Sequence, residues 1–66
     1  MTGFRINALR RIVDRGQAEK LDGYLMDIFT ASMLITVHDA LSPANQIKFE
    51  KIPLPKLVDF GWSHVK

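Results

Sequence analysis

His38-Asp39 is the one dipeptide in this chain that suggests catalysis. Metal-dependent phosphohydrolases carry such a pair, but they draw further His and Asp ligands from other helices. Here the only other histidine is His64. The pair therefore reads as a partly buried helical histidine beside a surface aspartate. Ser32, Ser42 and Ser63 sit in no nucleophile-elbow pattern. Gly16, Gly23 and Gly61 are too scattered to form a phosphate-cradling loop. Asp14, Glu19, Asp22, Asp27 and Asp39 form no close pair that spacing would nominate for acid–base work. A chain this short also has little volume with which to wall off a dry site. The expectation is a non-enzymatic protein with no catalytic residue, no metal and no cofactor.

Binding is the better prospect. Arg5, Arg10, Arg11 and Arg15 place four positive charges on the first predicted helix, against one acid, Asp14. Guanidinium groups match phosphate geometry, so a basic helix of this kind can lie on nucleic acid. Two features favour a solvated face instead. The arginines spread around the helix, and the rest of the chain reduces the net charge to +2. A helix-turn-helix would use Ala31–Leu41 and then Pro43–Lys51, with Asn45, Gln46 and Lys48 as readers. Pro43 is not the short glycine-containing turn of that motif, and the preceding helix is too apolar to cross a DNA backbone. Tyr24 and Trp62 could anchor a protein partner, since aromatic residues dominate binding hot spots. A sole tryptophan in a small domain more commonly packs in the core.

Four helices must position these residues. Phe4 to Arg15 is amphipathic: Phe4, Ala8, Leu9, Ile12 and Val13 recur at helical spacing, and the helix is expected over about 3–15. Thr2 is its candidate N-cap, and Gly16 its stop. Between 17 and 27, Asp22-Gly23 is a turn signal, which makes the segment either an ordered loop or a short hairpin, the loop being favoured. Thr30 is expected to cap a helix over about 30–41, with Ile28 and Phe29 packing on its first turns. Its broad face of Met33, Leu34, Val37, Ala40 and Leu41 predicts a central helix buried on nearly all sides. Ile35 lies off that stripe with Ala31 and His38, toward a second layer or another chain. Ser42-Pro43 restarts the chain into a short helix over 43–51, with Ser42 as cap and Pro43 at the first helical position. Pro53 and Pro55 end it, since each disfavours helical geometry in the residue before it. A last helix is expected over about 55–65, where Gly61 lowers helix propensity but allows close approach of a neighbour.

The fold expected is thus all-α, a single small four-helix domain over residues 1–66. A core below ~70–80 residues rarely supplies more than about 3–5 kcal/mol, and small chains use disulfides, metals or partner chains as staples. With no cysteine, and 47% of its residues hydrophobic, this chain is expected to self-associate. No apolar run approaches a membrane span. The segment Met1-Thr2-Gly3-Phe4-Arg5 has no signal-peptide character, which fits a cytoplasmic protein.

From Lys20 to Val65 the chain resembles a group of short uncharacterised proteins encoded by tailed phages and prophages. The residues carrying the resemblance are Asp22-Gly23, Met26-Asp27-Ile28-Phe29-Thr30-Ala31-Ser32, Val37-His38-Asp39-Ala40-Leu41, Ala44-Asn45, Lys48-Phe49 and Leu54-Pro55-Lys56. That group usually has tyrosine where His38 stands. The resemblance implies a phage origin and expression in the cytoplasm of an infected or lysogenic bacterial host. It implies no activity. The function expected is that of an accessory protein acting by protein–protein contact, on itself as a homo-oligomer and on a host protein. Ala31, Ile35, His38, Tyr24 and Trp62 are the contact candidates. The alternative is a nucleic-acid binder using Arg5, Arg10, Arg11 and Arg15.

Overall fold

The computed structural model describes residues 4–64. The proposed Thr2 cap and the end of the last helix at Val65 lie outside that range. The order of elements is α1 (Phe4–Arg15), β1 (Glu19–Leu21), β2 (Tyr24–Met26), α2 (Ile28–Ala40), α3 (Pro43–Lys51) and α4 (Leu54–His64). The chain is mostly helical, but the all-α expectation needs one correction, because β1 and β2 form a two-stranded antiparallel hairpin. Asp22 and Gly23 take φ of 52° and 77°, and positive φ at both central residues makes a tight turn whose twist suits the flanking strands. A lone hairpin is marginal in water. This one survives because a face of it joins the core: Met26 is fully buried, and Leu21 and Tyr24 pack half-buried beside it.

Local chemistry sets most helix ends. Gly16, at φ 67°, closes α1: its amide and that of Gln17 turn back onto the Ile12 and Val13 carbonyls. Ser42 caps α3 as expected, accepting from the Asn45 amide at 3.4 Å, with Pro43 at the first position. The start of α2 differs from expectation. Asp27, not Thr30, is the cap; its carboxylate accepts from the Thr30 amide at 2.6 Å. A carboxylate also suits the positive end of the helix dipole, which favours Asp27 over the later threonine. The helix consequently begins at Ile28, and Phe29 projects outward, 82% exposed, instead of packing on the first turns.

The core joins all four helices and the hairpin. Leu9, Ile12, Met26, Leu34, Phe49 and Leu57 are its largest fully buried side chains. α2 is central, packed between α1 and α4, but it is not buried on nearly all sides. Phe29, Ser32, Thr36, Asp39 and Ala40 form an exposed stripe along it. In α1 the expected Phe4 is 81% exposed and Ile6 is buried in its place. Two residues apart means about 200° around a helix, so Phe4 and Ile6 cannot both face the core. Gly61 does serve a close approach. A β-carbon there would meet the Met33 sulfur and stand 3.2 Å from a Leu34 methyl carbon.

Candidate functional site

The four arginines of α1 occupy three different environments. Arg5 is structural. Its side chain is only 10% exposed, and its Nη1 donates to the carbonyls of Phe49 at 2.7 Å and Ile52 at 2.5 Å. These carbonyls belong to the end of α3, where the helix leaves acceptors without intrahelical donors. In return the Glu50 carboxylate accepts from the amides of Arg5 at 2.7 Å and Ile6 at 3.0 Å, at the start of α1. Each helix thus supplies the cap of the other. Arg5 also lies 3.6 Å from the Asp22 carboxylate at the hairpin turn. Its buried Nε finds no partner among the described residues. Arg5 therefore cannot be part of a phosphate-binding face, which corrects that assignment.

Arg10 and Arg11 are half-exposed and internally paired. Arg10 donates to Asp39 at 2.7 Å, joining α1 to α2, and Arg11 donates to Glu19 at 2.9 Å, joining α1 to β1. The hydrogen bond from Arg11 holds the Glu19 carboxyl below its ordinary pKa, with the charges of Arg11 and Arg15 adding to it. Arg15 is exposed and makes no hydrogen bond or ion pair among the described residues. Together with Asn7, Val13, Asp14, Ser32, Ile35 and Thr36, these three arginines line an open groove of about 700 Å³ between α1 and α2. The off-stripe Ile35 lies in this groove, half-buried against the core.

His38 is largely buried at the end of α2. Its ring meets Phe49 edge to face, with centroids 5.0 Å apart. Nδ1 lies 3.1 Å from the same Asp39 oxygen that Arg10 binds. Hydrogen bonds from His38 and then Arg10 depress the Asp39 pKa. Among the described residues no group of three or more His, Cys, Asp or Glu stands where it could hold a metal ion. The side chain of His64 lies outside the described residues. The chemistry of the His38–Asp39–Arg10 chain is that of a tether between helices.

The contact candidates also separate. Ala31 is fully buried in the core and has no surface to offer, which corrects its assignment. Tyr24 and Ile35 are half-buried against the core. Trp62 is 48% exposed, not a core residue as a sole tryptophan usually is. Phe29 and Leu25, at 82% and 66%, are more exposed than any of the five candidates. Periodicity could not single them out, because both sit in apolar surroundings in the sequence. The helix-turn-helix readers separate as well: Gln46 donates through Nε2 to the His38 carbonyl at 3.0 Å, which ties α3 to α2. Asn45 and Lys48 are exposed, and with Leu41, Phe49, Ile52, Leu57 and Phe60 they line an apolar pocket of about 300 Å³.

These features define a small, mostly helical domain with one hairpin, whose basic helix is bound into its own scaffold. No protein-family model matches the chain, and no match was found among curated proteins or solved structures. No helix among the described residues is long and apolar enough to cross a membrane.

Proposed function

We propose that this chain acts by protein–protein contact, with copies of itself and with a bacterial host protein, and not by catalysis. The observation that carries this reading is the exposure of Phe29, Leu25 and Trp62 on so small a surface. Large apolar side chains left in water forgo roughly 1.5–3 kcal/mol each that burial would return. The phage setting rests on the resemblance of residues 20–65 alone. The nucleic-acid alternative has less support, since Arg5 is largely buried and Arg10 and Arg11 already hold carboxylates.

Sedimentation equilibrium across the micromolar to millimolar range tests the reading. The expected result is reversible association that persists in high salt and weakens about tenfold or more in Phe29→Ser, a change near 1.4 kcal/mol. Phe29 is exposed, so that variant keeps the circular dichroism of the parent. A chain that stays monomeric at millimolar concentration overturns the self-association.

A further inference from the structure

The apolar pocket where α3 and α4 meet the end of α2 differs in kind from the α1–α2 groove. Phe49 and Leu57 are its most buried lining, and Leu41, Ile52 and Phe60 bring it to the surface. Its polar lining is Asn45 and Lys48, three residues apart on α3 and so on one face of that helix. Neither side chain makes a hydrogen bond or ion pair among the described residues. No carboxylate is among the described residues that line it. In the α1–α2 groove, by contrast, Arg10 and Arg11 already carry carboxylates of this chain.

We propose that this pocket docks a segment of a partner protein that inserts one leucine or phenylalanine side chain and carries a carboxylate beside it. Its volume lies at the bottom of the range of about 300–1,000 Å³ that small-molecule pockets span. That suits one or two side chains better than a cofactor. The lining dictates the rest: an apolar floor continuous with the core, and one cation at the rim with no counter-charge among the described residues. An acidic neighbour to the inserted side chain satisfies Lys48, and a basic one meets like charge. The inference rests on the protein-contact reading and gives one surface a partner chemistry.

The probe is a capped hexapeptide with a leucine–phenylalanine pair flanked by glutamates, beside a copy with lysines in place of the glutamates. Each is titrated into the full chain and followed by amide chemical shifts. The glutamate peptide is expected to move the amides of Leu41, Asn45, Lys48, Ile52 and Phe60, and to bind about tenfold or more tightly than its lysine copy. Lys48→Glu inverts that preference. The residue is exposed, and unchanged shifts elsewhere confirm that the variant folds. Equal binding of the two peptides, shifts confined to the α1–α2 groove, or no shift at millimolar peptide overturns the inference. An associating chain whose pocket ignores both peptides removes the pocket and leaves the contact reading in place. A monomer that binds the glutamate peptide does the reverse for self-association and supports the pocket.

Discussion

The two ends of α1 use arginine in opposite ways. At the start of the helix Arg5 is largely buried and donates to two carbonyls at the end of α3, while Glu50 closes the amides of α1 in return. In its second half Arg10 and Arg11 stand half-exposed and pair with Asp39 and Glu19 across water-accessible gaps. The residue type is the same, but the surroundings decide its worth. A buried ion that satisfies helix ends is costly to remove, because its partners are left without donors. An exposed pair gains little over hydration by water. A count of four arginines therefore overstates both the stability and the free charge of this helix.

Three substitutions test that contrast, in decreasing order of effect. Arg5→Ala strips the two carbonyls at the end of α3 of their donor and removes the cation beside Asp22. Hydrogen bonds to charged groups contribute about 1.5–3 kcal/mol, so a loss of about 3 kcal/mol is expected in urea unfolding followed by circular dichroism. A core of this size supplies about 3–5 kcal/mol, so the variant retains only about 0–2 kcal/mol and is marginally folded. A midpoint equal to that of the parent would break the comparison.

An exposed helix cap supplies the middle of the scale. Asp27→Ala removes one cap from α2 and is expected to cost about 1 kcal/mol at neutral pH. The hydrogen bond from the Thr30 amide lowers the Asp27 pKa. A depressed carboxylate stabilises the fold above its unfolded pKa, and that stability is lost as pH falls through the folded value. The gap between parent and variant should therefore be constant above about pH 5 and narrow below about pH 4. Urea midpoints at a series of acid pH values measure it, and a gap that widens on acidification contradicts the assignment. The smallest effect belongs to Arg10→Ala and Arg11→Ala. Each should leave the urea midpoint within experimental error of the parent, in low and high salt alike. A large loss in either would mean that the exposed half of α1 is as structural as the buried end.

The elements were largely legible in the sequence where one residue type settles a backbone angle or supplies a missing partner. Ser42-Pro43 opened α3 at its predicted residue, and Gly16 closed α1. Asp22-Gly23 marked its turn correctly, yet the loop was favoured over the hairpin that forms, because strand pairing needs the core beneath Met26. The surface was far less legible. Ala31 and Phe29 lie two residues apart on either side of Thr30, and packing buried the first and exposed the second. The Asn45–Lys48 rim was read only as a nucleic-acid contact, since its apolar floor comes from α3, α4 and the residues that end α2 and α3.

By itself the sequence determined the local features: helix stops and caps, the turn, and the absence of cysteine. These depend on φ preferences and hydrogen bonds that reach only a few residues along the chain. Tertiary structure decided which charges are free. Arg5 and Glu50 stand 45 residues apart and Arg10 and Asp39 29 apart, and no local rule pairs groups so distant. Those pairings emerge only when the core brings α1 against α2 and α3, and Lys48 is left as an exposed cation with no carboxylate partner among the described residues.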